Sequence, residues 1–379
     1  MNKITLALLF LILFSACASP TLIPSPTVLY TPTLTPKAMS VDGVSCSSFT
    51  ACKTLLKDGS VWNISGDWSS SGNLTLVKPN VSIIGSNARL LHVAVSSDFV
   101  TFRGFEITGS PIGVTGVDWS GNYGTISDLN IHDTGLSGFH FTSASHNTLT
   151  RVKSYDNLRG NQENSDGIDA LAGGYNTISD CEVWNNGDDG LDMWTSTYNT
   201  IQNCIAHDNR GEGDQNGFKL GHGGHNQVFY NIAYNNGQSG FTGNGGGNNF
   251  VGNLSYNNGR HGFVETRDSQ GGIQYSTYVN NTAYGNAVQA FANFAGNYVT
   301  YSGNSTTPPI TSTLPYTVTF TQLVGTSTPT RTPTITPSRT VTASRTPTVT
   351  PTRTHTPAIS TPYLVCTVEP TKISCEVHP

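Results

Sequence analysis

Apolar and polar residues alternate in short runs along the middle of the chain, and the runs recur. The unit reads NTLTRVKSYDN from Asn147, NTISDCEVWNN from Asn176 and NTIQNCIAHDN from Asn199, continuing as NQVFYNIAYNN from Asn226 and NNFVGNLSYNN from Asn248. GTISDLNIHDT from Gly124 is a degenerate earlier copy, and successive starts lie 23, 29, 23, 27 and 22 residues apart. Alternation with a period of two predicts strands, while Asn and Gly at fixed places predict the corners between them. Each copy then reaches a glycine and an apolar residue: Gly138-Phe139, Gly167-Ile168, Gly190-Leu191, Gly217-Phe218, Gly240-Phe241 and Gly262-Phe263.

Such a repeat predicts a β-solenoid whose coils stack about 4.8 Å apart. The expected fold class is all-β, a right-handed parallel β-helix; a leucine-rich repeat lacks its Leu frame here, and a propeller needs a longer period. Two asparagine columns support it: Asn147, Asn176, Asn199, Asn226 and Asn248 at one corner, and Asn157, Asn186, Asn209, Asn236 and Asn258 ten residues on. Asn tolerates left-handed φ, and stacked amides hydrogen-bond from rung to rung. Cys181 and Cys204 share an inward column with Leu129 and Val152, where a buried thiol stack is favoured over a disulfide.

Composition sets the limits of this solenoid. Of 19 prolines only Pro79 and Pro111 fall between residues 40 and 305, so the repeat is a single unit with Pro-rich flanks. Residues 17–39 and 306–362 are rich in Thr and Pro and are expected to be extended, disordered spacers. A tail, 363–379, carries Cys366 and Cys375, a natural local pair, as are Cys46 and Cys52. Lys3 followed by the apolar run Ile4–Phe14 predicts an export signal over residues 1–16. Phe14-Ser15-Ala16-Cys17 resembles the lipobox of bacterial lipoproteins. The expected location is therefore the cell surface or a membrane, through a lipid on Cys17 alone, or else the medium. A net charge of −5 gives no face for nucleic acid, and a monomer is expected.

The chemistry concentrates on one wall. Inward apolar residues turn the next residue outward, giving a column of His140, Asp169, Asp192, Lys219, Thr242 and Val264. The residues before the glycines are Ser137, Asp166, Asp189, Asn216, Ser239 and His261. Charged residues are only 11% of the chain, so Asp166, Asp169, Asp188, Asp189 and Asp192 stand out. Like charges stacked at rung spacing repel unless a cation neutralises them, and an oxygen-only ligand set suits Ca²⁺ better than Zn²⁺. The plainer reading is a solvated acidic patch.

Ser165-Asp166-Gly167, Asp188-Asp189-Gly190-Leu191-Asp192 and Asn216-Gly217-Phe218-Lys219-Leu220-Gly221 resemble consecutive motifs of the family 9 polysaccharide lyases. These are calcium-dependent pectate lyases built as right-handed parallel β-helices. The resemblance implies that Asp166, Asp188, Asp189 and Asp192 bind Ca²⁺, that Lys219 is the catalytic base, and that an acidic polysaccharide such as polygalacturonate is the substrate. Asp169 is then a spare ligand or a surface charge. Asn216 and Arg267 are candidate substrate contacts, Arg267 because its fork matches a carboxylate, although a surface pair with Glu265 or Asp268 serves it equally. Two other readings stand beside this one. A β-helix glycoside hydrolase would use the aspartates as acid and base. A non-catalytic solenoid would bind glycans through Trp184, Trp194, Tyr198 and Tyr234. His222 and His225, three apart in a Gly-rich turn, are too loosely placed for a zinc site.

Overall fold

The structure, a computed structural model, describes residues 37–160, 162–266, 276–294 and 299–308, and the backbone of two strands in the tail. The signal sequence 1–16, Cys17, Arg267 and nearly all of both Thr/Pro spacers lie outside the described residues. Among those described, no helix is long and apolar enough to cross a membrane.

The repeat forms the coils of a parallel β-solenoid. One wall is a sheet of ten strands, beginning at Leu74–Leu76 and ending at Gln289–Asn293, each paired in parallel with the equivalent strand of the next coil. Its register aligns Phe139 with Ile168, Ile168 with Leu191, Leu191 with Phe218, and Phe218 with Phe241. These inward residues are fully buried, and Phe218, Phe241, Phe263 and Phe291 stack with centroids 4.7–5.1 Å apart. Burying a ring this size contributes about 1.5–3 kcal/mol, so each coil is glued to the next.

The corners are polar inside. Asn157, Asn186, Asn209, Asn236 and Asn258 each donate from Nδ2 to Oδ1 of the next rung's asparagine, at 2.8–3.0 Å, ending on Asn286. The first column does the same at Asn147, Asn199 and Asn226. Left-handed φ falls on the residue before each ladder asparagine and not on the ladder asparagine itself: Asn185, Asp208, Asn235 and Asn257 have φ of 50–54°, and Tyr175, Tyr198 and His225 of 56–58°. The turn is made one residue early so that the amide can point inward. The glycine of each coil must pass close to this ladder. A Cβ on Gly190 would lie 2.6 Å from the Gly217 carbonyl and 2.8 Å from Asn209 Nδ2, so nothing larger fits.

The cysteine column is as expected over its first half: Cys181 and Cys204 are free and buried. Beyond them it becomes a third asparagine ladder, Asn231–Asn253–Asn281–Asn304, linked by Nδ2–Oδ1 bonds of 3.0–3.1 Å. Two aromatic columns run along the outside. Tyr155, Trp184, His207, Tyr234 and Tyr256 stack in sequence, as do Tyr123, His146, Tyr175, Tyr198 and His225. Trp184, Tyr198 and Tyr234 therefore have their faces covered by neighbouring rungs, as packing requires.

The N-terminal end is closed by the helix Phe49–Leu55, capped by Ser48 Oγ accepting from Ala51 N–H and tied by the Cys46–Cys52 disulfide. In the tail, Tyr363–Glu369 and Lys372–His378 pair antiparallel with Cys366 opposite Cys375.

Candidate functional site

The expected outward column exists. Parallel register puts His140 beside Asp169, Asp169 beside Asp192, Asp192 beside Lys219, and Lys219 beside Thr242. A cleft of about 1050 Å³ runs over this wall, lined by Asp166, Asp169, Asp188, Asp192, Asp214, Lys219, His140 and Trp194 among others.

The wall is not a solvated patch. Asp189 is fully buried, and Asp166, Asp188, Asp192 and Lys219 are only 5–6% exposed. Lys219 Nζ lies 3.1 Å from Asp189 Oδ2, 3.0 Å from Asp192 Oδ2 and 3.0 Å from Asp214 Oδ2. Burial opposes its charge, but the three carboxylates outweigh burial and hold the ammonium form well above the usual lysine range.

The carboxylates respond in the opposite sense. Burial, then the charges of Asp169, Asp192, Asp189 and Asp188, push Asp166 far above the usual carboxylate range. Burial also raises Asp192, against the pull of Lys219, and burial with Asp189 beside it brings Asp188 up to about 7. One lysine is too little positive charge for this wall.

Some oxygens have definite partners. Asp189 Oδ1 accepts from Asn216 N–H at 2.6 Å and Asn216 Nδ2 at 3.0 Å. Asn216 Oδ1 accepts in turn from Ser239 N–H and Thr242 Oγ1. Asn216 thus uses its amide inside the wall, orienting Asp189. Asp166 Oδ1 accepts from Asp189 N–H, and Asp188 Oδ1 from Asp214 N–H. Two oxygens are orphaned: Asp192 Oδ1 and Asp189 Oδ2 are buried without a hydrogen bond, the latter touching only the lysine ammonium. Asp166, Asp189 and Asp192 each offer an oxygen within 4.8 Å of the others, and Asp188, Asp189 and Asp214 form a second such group. Buried, oxygen-only donors, with Asp192 Oδ1 left without a partner, fit a hard cation such as Ca²⁺.

Two positions differ from expectation. Asp169 belongs to neither group; it faces His140, whose Nδ1 lies 2.8 Å from both its oxygens. Glu265, weighed as a surface partner for Arg267, is fully buried and accepts from Tyr278 Oη at 2.7 Å and Ser276 Oγ at 3.1 Å, and burial raises it to about 8. Its alternation places it two residues after inward Phe263, hence also inward. Asp214 was missed by sequence reasoning, because it lies in the loop GEGDQ before the strand and no repeat position marks it. Trp194 is the aromatic that does border the cleft, 39% exposed and with its ring 5.1 Å from Lys219 Nζ. His222 and His225 meet different rings, Trp194 and Tyr198.

A family model described as "Pel9A-like, right handed beta helix region" matches residues 78–300. No curated protein matches the chain. Among solved structures, the crystal structure of pectate lyase Pel9A is 23% identical, with 64% of this chain and 71% of that chain covered and a TM-score of 0.49. An alginate lyase from Paenibacillus sp. str. FPU-7 is 15% identical over 69% of this chain and 98% of that one, TM-score 0.42. The A-module of the Azotobacter vinelandii mannuronan C-5 epimerase AlgE6 is 17% identical over 62% and 64%, TM-score 0.40.

Proposed function

Since the chain belongs to the Pel9A-like right-handed β-helix family, we propose that it is an exported polysaccharide lyase that cleaves polygalacturonate-type chains by β-elimination, with Lys219 as base. The observation that carries this reading is the single buried amine among stacked aspartates on the floor of a long cleft.

Elimination breaks the C5–H bond of a uronate, forms a C4–C5 double bond and expels the C4 oxygen, which takes a proton from water. The C5 proton is weakly acidic, so the base must sit within hydrogen-bond reach and the developing charge must be stabilised. Asp166, Asp188, Asp189 and Asp192 would hold Ca²⁺, which when bound supplies Lewis-acid stabilisation to the uronate carboxylate. Asn216 keeps Asp189 in place by two hydrogen bonds. Lys219 accepts the proton only when neutral, and the aspartates around it set that balance. While their charge is uncompensated the lysine keeps its proton; once it is met from elsewhere, the amine is freed for C5. Trp194 supplies an apolar edge beside Lys219 for a sugar face.

The hydrolase reading suits the geometry less well. It needs two carboxyls as acid and base or nucleophile and gives the buried Lys219 ammonium, in contact with three carboxylates, no role beyond substrate binding. The deciding experiment follows elimination of polygalacturonate by ultraviolet absorbance, with Ca²⁺ or with chelator, for the wild type and Lys219→Ala. The reading requires absorbance that chelator and the substitution both remove. Reducing ends without absorbance would make the protein a hydrolase, and an active Lys219→Ala would remove the mechanism.

A further inference from the structure

Among the described residues lining the cleft, Lys219 and His140 are the ones able to carry positive charge. His140 sits in the same outward column three register steps toward the N-terminal end, through Asp192 and Asp169. At rung spacing that is about 14 Å. Its Nδ1 lies 2.8 Å from both Asp169 oxygens, while no described group hydrogen-bonds Nε2. The ring keeps 19% of its surface exposed, toward the cleft it lines. A carboxylate accepting from Nδ1–H fixes the plane of the ring, so Nε2 has a set direction, and in the imidazolium form Nε2 carries a proton to donate.

The charge around His140 differs from that around Lys219. Asp118 precedes it in the column, and Asp118 has its own imidazole, His92 Nε2 at 3.9 Å. Burial disfavours an imidazolium at His140, but the Asp169 hydrogen bond and charge, with Asp118 adding, raise its proton affinity above the ordinary value. Asp169 is thus met by an imidazole at 2.8 Å, whereas near Lys219 one amine faces three carboxylates. An anionic chain lying along the wall meets a compensated stretch at His140.

We propose, resting on the reading of the ligand as an acidic polysaccharide, that His140 is a specificity-determining residue: held by Asp169, it donates from Nε2 to the carboxylate of a uronate about three rungs from the sugar at Lys219. The separation excludes His140 from proton transfer at the same sugar, because C5 and the leaving oxygen are on adjacent carbons. The repeat of an extended pyranose chain is comparable to one rung, so a longer oligomer at Lys219 reaches His140 and a dimer does not. Asp169 is the positioning residue.

The test is calorimetric binding of galacturonate dimers and hexamers to the full chain carrying Lys219→Ala, with Ca²⁺ present, so that ligand is not consumed. Adding His140→Ala should weaken the hexamer about tenfold, roughly one charge-assisted hydrogen bond, and the dimer far less. His140→Gln, which keeps a donor, should recover part of the loss. A methyl-esterified hexamer should bind equally with and without His140. Equal losses for dimer and hexamer mark a structural effect and overturn the proposal, as does an unaffected hexamer. Hexamer binding that depends on His140 in a protein whose wild type yields no unsaturated product leaves this subsite standing and removes the lyase reading. Elimination with His140-independent binding does the reverse, and no binding of any oligouronate removes both.

Discussion

The asparagine ladder and the acidic wall are built alike and behave oppositely. Both are columns of short polar side chains repeated once per coil and buried from water. In the ladder each amide offers a donor upward and an acceptor downward, so Asn157 to Asn286 closes into a chain of hydrogen bonds with both ends of every link used. In the wall each carboxylate only accepts, so stacking adds repulsion with every rung, and Asp192 Oδ1 and Asp189 Oδ2 are left without a hydrogen bond. A self-complementary polar stack stabilises a fold; a stack of one sign costs stability and calls for a partner from outside. Sites where local rules are broken against an otherwise consistent background are where function is sought first.

Breaking the wall at Lys219, its only amine among the described residues, should have the largest effect. Lys219→Ala is expected to lower elimination by about 10³-fold, within the range for removal of a general base, in a continuous absorbance assay. Ca²⁺ comes next. At a hundredfold excess over its dissociation constant it should stabilise the protein by about 2.7 kcal/mol, and Asp192→Asn should remove most of that gain in a thermal melt. The ladder should respond in stability: Asn209→Ala removes the acceptor for Asn186 N–H and Nδ2 and should cost about 1–3 kcal/mol in denaturant unfolding, while leaving Ca²⁺ affinity near the wild-type value. If that variant instead lost the ion, the two columns would not be independent.

The effect that is smallest per pH unit sharpens the contrast at a site between the two types. Glu265 is a lone carboxyl inside the coil, raised to about 8 by burial even though Tyr278 and Ser276 donate to it. Its folded value exceeds its unfolded one, so its contribution is complete below the unfolded carboxylate range and is lost as pH rises through about 8. Stability should fall by up to about 1.4 kcal/mol per pH unit across that window, and Glu265→Gln should flatten the slope. An unchanged slope would mean that the carboxyl is already ionised in the fold.

Much of this was legible because a solenoid converts sequence period into neighbourhood. Once Gly-apolar steps are aligned, Asp192 must lie beside Lys219, and the register does so. The ladder columns were equally legible, though the left-handed turn falls one residue early, on Asn185 or Tyr198, since a ladder amide must face inward. The third ladder could have been found five residues after each corner, where Cys204 gives way to Asn231. Asp214 could not, since loops between coils differ in length and carry no register.

The order of the chain alone thus determined which residues share a rung position, because hydrogen-bonded strands at a fixed spacing leave no freedom to shift coils with a buried apolar face. Tertiary structure decided everything that depends on how far solvent reaches and what a loop brings over: that the aspartates are buried, that Asp214 completes the contacts of Lys219, and that Asp169 turns to His140. Charge is a property of residues, but its cost depends on exposure, and exposure exists only in the folded chain.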